Sequence, residues 1–450
     1  MLTMRNVALV VLDTLRKDSF DEFFDWLPGQ SYENAWAPSS WTIPVHGSMF
    51  SGKYPSETGV HVKNEFMDFE EQALAEHLRD EGYTTRAYSC NPCISDTFNF
   101  DRGFEHFDGN WRQLKRDPDI FDWNSFITEN SNKGLIRYFK AVNECVTSDV
   151  KTASSIKFGA RLKLRDMGFK RLAGMRDSGA QSALKYVEST EFGSTEFLFM
   201  NLMEAHAPYD PPKEYRTTDA SYSPSLLGTI GGTDADPEEL RQAYDDSVQY
   251  LSDKYREIFD SLSEDFDVIV TLGDHGEMFG EEGIWGHAHG LHPHLTHVPL
   301  SIYTGEGKGE VESVDEVVSL IDVHKTVLDL AGIDAESRGQ NLLANPESRN
   351  YITERFGLNE RRRNPLKKSG ISEDVIDRYD NLLRGLAFSE GGYSYECLEG
   401  LSLWNMDEDV DPERRIEDAI KDLDVRDVDE KTGEDLSATV MDQLEDLGYA

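Results

Sequence analysis

The sequence is poor in basic residues relative to acidic ones. Its 450 residues include 45 Lys and Arg against 85 Asp and Glu, which gives a formal net charge of −40. A protein that binds nucleic acid needs a basic face for the phosphates, so this balance argues against a nucleic-acid partner. A surface covered with carboxylates is one way to stay soluble at high salt, and we therefore expect a cytoplasmic protein of a halophile.

Cysteine is also scarce, with only four residues in the chain. Cys90 and Cys93 form a C-x-x-C pair, but no second pair stands at the spacing of a zinc ribbon. We interpret all four as ordinary reduced thiols. A redox or metal-binding role for the C-x-x-C pair is the alternative.

Long apolar runs are absent, and none approaches the roughly 20 residues of a membrane-spanning helix. The first run, NVALVVLD (residues 6–13), is short, ends in a charge and carries no small-residue cleavage site of a signal peptide. We expect a soluble protein without a transmembrane segment. The length and the 38% hydrophobic content predict a large α/β domain with a subordinate C-terminal part.

Predicted buried strands alternate with predicted amphipathic helices along the chain. Residues 6–13 and 195–203 are strand-like, residues 265–277 are a strand that runs into a charged loop, and residues 237–262 form a long amphipathic pattern. This alternation predicts a three-layer α/β/α sandwich with a mostly parallel sheet. Short hydrophobic pieces after residue 370, such as GLAFSEGGYSYECL, predict a small antiparallel sheet. We therefore divide the chain into an α/β domain, residues 1–345, and a small C-terminal α+β subdomain with an acidic tail, residues 346–450.

Two stretches are more basic than their surroundings. Residues 112–176 predict a helical insertion over the core, and RRRNPLKKSG (residues 361–370) lies late in the chain. Solvated helix faces explain both stretches most simply. The alternative is that they draw an anionic substrate, such as a glycan or a lipid head group, towards a strongly acidic protein.

Side chains that suit a metal ion follow two of the predicted strands. Asp13 ends the first strand, and Asp274 with His275 follows VIVTLG. Ligands of open α/β sheets gather at the carboxyl ends of the strands, so these side chains are expected to meet there. Carboxylate and imidazole ligands suit a divalent cation, with calcium, manganese, zinc and magnesium all open.

The segment SSWTIPVHGSMFSG (residues 39–52) places a hydroxyl at a predicted helix start. Thr42 precedes Pro44 by two residues, and His46 follows. A hydroxyl beside a divalent cation can attack phosphorus or sulfur, and His46 would orient it or contact the attacked anion. Alternatively, Thr42 is only a helix N-cap, a reading that is geometrically compatible with the first.

These segments, in this order, resemble the sulfatase family of the alkaline-phosphatase superfamily. The resemblance spans nearly the whole chain. The matching pieces are NVALVVLDTLRKDSF, YENAWAPSSWTIPVHGSMFSGKYPSETGVH, LAEHLRDEGYTTRAYS, FDRGFEHF, FLFMNLMEAHAPYDPP, TLGDHGEMFGEEGIWGHAHG with HVPLSIY, and LWNMDEDVDPE.

The resemblance implies roles for particular residues. Asp13, Asp274 and His275 match metal ligands, with Thr42 beside them at the position of the nucleophile. The residues that it implies for substrate binding are His206 in EAHAPY, and either His287 or His289 in WGHAHG. Arg16 is a further candidate by its position, although a packing role is favoured for it.

The departures from the family pattern bear on the reaction. Members with sulfatase activity resemble C-x-P-S-R at the nucleophile and oxidise that cysteine to formylglycine, whereas Thr42 cannot be converted in this way. His46 replaces the arginine, and Thr14 stands where a second aspartate is usual. Relatives that cleave phosphoesters or transfer phosphoglycerol use a threonine nucleophile.

The sequence therefore predicts a metal-dependent hydrolase of sulfate or phosphate esters that acts through a covalent intermediate on Thr42, with phosphoesters slightly favoured. A phosphoglycerol- or phosphoethanolamine-type transferase acting on a lipid or glycan is one alternative. A non-catalytic metal-binding protein is another. A second metal held by the crowded histidines between positions 287 and 294 and the oligomeric state both stay open.

Overall fold

The computed structural model describes residues 5–109, 121, 136–147, 152, 155–156, 179–218, 224–305, 311–406 and 410–431. Most of the helical insertion that we predict at residues 112–176 lies outside these ranges, as does the end of the acidic tail. Among the described residues, no helix is both long and apolar enough to span a membrane.

The strands of the described chain form two sheets. In chain order they are β1 (Val7–Leu12), β2 (Gly29–Trp36), β3 (Thr84–Ser89), β4 (His106–Asp108), β5 (Glu196–Leu202), β6 (Val268–Leu272), β7 (Leu300–Tyr303), β8 (Val311–Ser319), β9 (Tyr351–Arg355), β10 (Leu383–Ala387), β11 (Tyr393–Cys397) and β12 (Gly400–Trp404). The larger sheet has the order β4-β3-β5-β1-β6-β7-β2-β8. All its pairings are parallel except those of β7, which runs antiparallel to both β6 and β2.

The described helices cover the sheet and connect its strands. They are α1 (Lys17–Phe23), α2 (Thr42–Ser51), α3 (Pro55–Thr58), α4 (Leu74–Asp80), α5 (Ile136–Thr147), α6 (Ala180–Ser189), α7 (Leu226–Gly231), α8 (Pro237–Asp265), α9 (Pro293–Thr296), α10 (Ile321–Leu330), α11 (Glu360–Lys368), α12 (Glu373–Tyr379) and α13 (Pro412–Ile420). Short 3₁₀ helices lie at Asp96–Phe98 and Glu281–Gly283.

The central strand β1 shows why the molecule has three layers. Successive side chains of a strand point to opposite faces. Val7, Leu9 and Val11 accordingly pack with α2, α4 and α10, whereas Ala8, Val10 and Leu12 pack with α1, α6 and α8. Because both faces are covered, β1 is continuously apolar, as is typical of a buried parallel strand.

The smaller sheet is antiparallel, with the order β12-β11-β10-β9. It packs against the larger sheet through Trp36, whose ring stacks on Tyr393 with centroids 4.3 Å apart. The first strand of this sheet also binds the segment before α2, because the Ser39 hydroxyl donates to the carbonyl of Glu354 (2.7 Å). The C-terminal subdomain thus supports the chain directly ahead of Thr42.

The predicted fold class is confirmed: a three-layer α/β/α sandwich with a mostly parallel sheet, followed by a small antiparallel sheet. The domain boundary between residues 345 and 346 stays a prediction. Strands β2 and β8 were not predicted from the sequence, because GQSYENAW and VESVDEVVS carry many polar residues. Both lie at one side of the sheet, where β8 is the edge strand and is half exposed.

Candidate active site

Two buried aspartates meet at the carboxyl ends of neighbouring strands. Asp13 directly follows β1, and Asp274 follows β6 after one glycine. β1 and β6 are adjacent in the sheet, so the chain brings both side chains to one point although they are far apart in sequence. Together with His275 they form a group whose potential ligand atoms all lie within 4.8 Å of one another.

The Asp13 carboxylate accepts hydrogen bonds on both oxygens. Oδ1 accepts from the Thr14 hydroxyl (2.8 Å), and Oδ2 accepts from the side-chain amides of Asn91 (2.8 Å) and Asn201 (3.2 Å). Burial alone would raise the pKa of Asp13, but His206, His275 and the Asn91 amide hold that pKa below its ordinary value. These interactions therefore stabilise the ionised form of Asp13.

Thr14 has a positive φ of 64°, which is uncommon for a β-branched residue. The turn is held from two sides: its N–H donates to Asp274 Oδ1 (3.1 Å), and its carbonyl accepts from the Tyr244 hydroxyl (2.9 Å). The strained turn thus links the ends of β1 and β6. Thr14 occupies the place of the family's second aspartate, and here its hydroxyl supports Asp13.

Of the two aspartates, Asp274 is the one whose ionised form is destabilised by its surroundings. Burial and the neighbouring Asp13 charge raise the pKa of Asp274 well above its usual value. Within the described part of the chain its Oδ2 is buried and has no hydrogen-bond partner. This oxygen lies 3.6 Å from Nε2 of His275.

A divalent cation fits this donor set. The group consists of two buried carboxylates and one imidazole, and Oδ2 of Asp274 has no hydrogen-bond partner among the described residues. A positive charge between the two carboxylates would stabilise both of them. Asp13, Asp274 and His275 would hold the ion, and the hydroxyl of Thr42 is close enough to join them. Among the described residues, no other group of three or more such side chains comes together. The second metal stays an open alternative.

Thr42 is the first residue of α2, and its side chain faces this group. Its Oγ1 lies 3.1 Å from His275 Nε2. The other nitrogen of His275, Nδ1, lies 3.0 Å from the backbone carbonyl of Gly276, which can only accept. Nδ1 therefore carries the proton, and Nε2 presents a lone pair to the Thr42 hydroxyl.

His46 lies one turn further along α2, and both of its ring nitrogens face protein groups. Nδ1 lies 2.9 Å from the carbonyl of Thr42, and Nε2 lies 3.4 Å from the side-chain amide of Asn201. Burial lowers the pKa of His46 to about 4, so the ring is neutral. Of the two roles considered for His46, the contacts favour orienting Thr42 over binding the anion.

His206 and His287 lie beside this group, and both are buried. The ring centroid of His287 lies 4.5 Å from that of His275 and 5.1 Å from that of His206. Nδ1 of His206 lies 2.7 Å from the carbonyl of Ala207, which can only accept, so Nδ1 carries a proton. Nδ1 of His287 lies 3.1 Å from Oε1 of Glu277.

His289 and His287 differ in their surroundings. His289 packs edge-on against Tyr379 of the C-terminal subdomain, with centroids 4.9 Å apart. Its buried Nε2 has no hydrogen-bond partner among the described residues. His287 is the one of the two whose ring contacts His275, so the geometry ranks His287 first as the residue beside the reacting centre.

Arg16 is buried and paired with protein groups. Its guanidinium donates to Asp18 (3.0 and 2.7 Å), to Glu281 (2.9 Å) and to the carbonyl of Glu277 (3.1 Å). These contacts fit the packing role that the sequence favoured. A substrate contact by Arg16 stays a prediction without support from its placement.

Sequence reasoning missed several residues of the site: Asn91, Asn201, Tyr209, Glu277 and Arg355. Asn201 gave a signal, because it is a lone amide in the apolar strand FLFMNLM. Asn91 stands inside the C-x-x-C segment, a pattern that points to its two thiols and not to the amide between them. Arg355 gave none, since its partners lie in distant segments of the chain.

Known proteins match parts of this chain in sequence. The chain is 32% identical over 105 residues to the low-salt glycan biosynthesis sulfotransferase Agl7 of Haloferax volcanii, a match that covers 22% of this chain and 26% of that protein. It is 22% identical over 353 residues to the uncharacterised sulfatase YidJ of Escherichia coli, covering 72% of this chain and 66% of that protein. The matches thus span less than two thirds of either relative.

A solved structure extends the likeness to the fold. The phosphonate monoester hydrolase of Agrobacterium radiobacter superposes with a TM-score of 0.57 at 16% identity, covering 89% of this chain and 88% of that one. At this identity the likeness shows the fold alone. The sequence model of the sulfatase family matches residues 5–333, which is most of the chain. The chain therefore belongs to the sulfatase family.

Proposed function

We propose that this protein is a metal-dependent ester hydrolase that cleaves phosphate or sulfate esters through a covalent intermediate on Thr42. The observation that carries the proposal is the position of the Thr42 hydroxyl, 3.1 Å from His275 Nε2 and beside the Asp13–Asp274 pair. A hydroxyl beside a cation-binding group can act as a nucleophile, because the bound cation would stabilise its deprotonated form.

The residues divide the work as follows. Asp13, Asp274 and His275 would hold the divalent cation, which when bound supplies positive charge that polarises the ester and offsets the two carboxylates. Since α2 begins at Thr42, its helix dipole favours an anion bound there. His206 and His287 would contact the ester and orient it for attack.

Phosphoesters are the favoured substrates. The threonine in place of the formylglycine cysteine supports this preference. Sulfate esters remain within the proposal because the chain belongs to the sulfatase family. The ester would be carried on a glycan or a lipid head group.

The name of one relative favours a second candidate function. The Haloferax volcanii relative is called a glycan biosynthesis sulfotransferase. A covalent group on Thr42 can be released to water, which is hydrolysis, or to an alcohol, which is transfer. Adding glycerol or a sugar to the assay and measuring the ratio of transferred to hydrolysed product separates the two.

The experiment that tests the proposal is hydrolysis of nitrophenyl phosphate, bis(nitrophenyl) phosphate and nitrophenyl sulfate at high salt, with magnesium, calcium, manganese or zinc. Wild type and Thr42→Ala are compared. Turnover that needs both a metal and Thr42 supports the proposal. Turnover that survives in Thr42→Ala contradicts the nucleophile, and metal binding without any turnover supports the non-catalytic alternative.

A further inference from the structure

Asn91, in the middle of the C-x-x-C segment, is fully buried and held by its neighbours in the chain. The Ser89 hydroxyl accepts from the backbone N–H of Asn91 (3.2 Å) and donates to its carbonyl (3.0 Å). The side-chain oxygen of Asn91 accepts from the backbone N–H of Cys93 (2.8 Å). Because this contact fixes the amide oxygen, the NH₂ group is the end that faces Asp13, 2.8 Å from Oδ2.

The two thiols of the same segment pack in different layers of the sandwich. Cys90 packs in the layer of α1, α6 and α8, whereas Cys93 packs in the layer of α2, α4 and α10. Both are free thiols, and among the described residues neither belongs to a group that could hold a metal ion. The part of the C-x-x-C segment that contacts the candidate active site is therefore the amide between the thiols.

Asn91 meets Asp13 at the carboxyl ends of three neighbouring strands. The sheet order β3-β5-β1 places Asn201 of β5 between the two. Asn201 also donates its side-chain amide to Asp13 Oδ2 (3.2 Å). A carboxylate oxygen has two lone-pair sites, so the two amides together fill those of Oδ2.

The other oxygen of Asp13 has different surroundings. Oδ1 accepts from the Thr14 hydroxyl (2.8 Å), which leaves one of its lone-pair sites for a further partner. Oδ1 is also the oxygen that lies 4.0 Å from Nε2 of His275. A cation held by Asp13, Asp274 and His275 would therefore contact Asp13 through Oδ1.

We propose that Asn91 is a positioning residue that occupies Oδ2 of Asp13 and so makes this carboxylate a metal ligand through Oδ1 alone. The inference rests on the proposed metal-dependent function. A carboxylate that offers one fixed oxygen suits magnesium, which demands near-ideal octahedral geometry. Calcium accepts a carboxylate through one or both oxygens in a flexible geometry. Asn91 should therefore contribute more to the binding of magnesium than to that of calcium.

The test is isothermal titration of the protein with magnesium chloride and, separately, with calcium chloride at constant ionic strength. Asn91→Ala removes the amide donor and opens a lone-pair site on Oδ2. Losing such a hydrogen bond to a metal ligand typically costs 10- to 100-fold in affinity, and we expect a loss of about that size for magnesium. For calcium we expect a loss of less than about threefold, because Oδ2 can join Oδ1 on this ion.

The matched control replaces both thiols, as Cys90→Ala with Cys93→Ala. It leaves Asn91 and the backbone N–H of Cys93 in place, so it should bind both ions like wild type. Ser89→Ala is a milder variant, because it loosens the backbone of Asn91 and keeps the amide. Its magnesium affinity should fall by less than that of Asn91→Ala, and again by more than its calcium affinity. If Asn91→Ala does not fold, the comparison in Ser89→Ala decides.

Four results would overturn the inference: equal losses for the two ions, affinities within about threefold of wild type for both, a loss in the double cysteine variant as large as that in Asn91→Ala, or a wild type that binds neither ion. Binding is read without turnover. Metal binding without turnover of any ester would therefore refute the proposed function, while the titrations would still decide the role of Asn91.

Discussion

The buried guanidinium of Arg355 donates a hydrogen bond from Nη1 to the backbone carbonyl of His287, 3.0 Å away. The same nitrogen donates to the Ser40 hydroxyl (3.1 Å), and Nη2 donates to the carbonyl of Ala288. Arg355 ends β9, so a residue of the C-terminal subdomain joins the segment before Thr42 to the loop that carries His287. The smaller sheet is thus part of the support of the site.

Replacing Arg355 by Met should destabilise the protein and lower activity together. The change removes charge-assisted hydrogen bonds, each contributing about 1.5–3 kcal/mol, and leaves buried acceptors without their donor. We expect the free energy of unfolding to fall by about 3 kcal/mol or more. Urea denaturation at constant salt measures it.

Arg415→Met is the matched control, because Arg415 pairs with the more exposed Glu390 at the surface. Its effect should stay within about 1 kcal/mol. Equal losses in the two variants would contradict the role assigned to Arg355.

Replacing Asn201 by Ala should weaken metal binding. Asn201 donates to Asp13 Oδ2 and lies against His46 Nε2, so it orients one metal ligand and the residue behind Thr42. Removing such a supporting hydrogen bond typically costs 10- to 100-fold in metal affinity, and we expect a loss of about that size. Isothermal titration with each divalent metal measures it. The control is Asn34→Ala. Asn34 donates a hydrogen bond to the Asp315 carbonyl, outside the metal-binding group, so this variant should bind metal like wild type.

Replacing Asp274 by Asn should abolish the stabilisation that metal gives. A ligand at 100 times its dissociation constant raises the free energy of unfolding by about 2.7 kcal/mol. Melting curves with and without metal should differ in wild type and coincide in the variant. Asp246→Asn replaces a buried carboxylate outside the cluster and should keep the metal-dependent shift. A shift that persists in Asp274→Asn would place the metal elsewhere.

The meeting of Asp13, Asp274 and His275 could be predicted, because strand ends converge in a parallel sheet and this rule needs no knowledge of distant contacts. Their role as metal ligands stays a prediction. The supporting residues could not be predicted, because Glu277 and Arg355 meet their hydrogen-bond partners only in the folded protein. Strand β8 could not be predicted either, because it is a partly solvent-exposed edge strand and therefore lacks a continuous apolar run.

Asp322 gives a pH-dependent contribution to stability. Burial raises the pKa of Asp322 to about 6 in the folded protein, although Ser319, Tyr351 and Gln340 donate hydrogen bonds to it. A carboxyl group with a raised folded pKa binds more protons when folded, so its contribution is present at low pH. That contribution is lost as the pH rises from about 4 to above 6.

We predict that the free energy of unfolding of wild type falls relative to that of Asp322→Asn as the pH rises. The expected change is on the order of 3 kcal/mol between pH 4 and 7, from the shift in pKa. Unfolding free energies of both proteins across that range measure it, and their difference cancels the other titrating groups. A constant difference would show that the pKa of Asp322 is not raised.

The covalent intermediate on Thr42 is the central claim. The most direct measurement is peptide mass spectrometry of metal-loaded protein that is acid-quenched during turnover of nitrophenyl phosphate and, separately, nitrophenyl sulfate. A phosphoryl or sulfuryl group should appear on Thr42 in wild type, on the serine of Thr42→Ser, and nowhere in Thr42→Ala, which should also lose turnover. A group on another residue, or undiminished turnover by Thr42→Ala, would contradict the account.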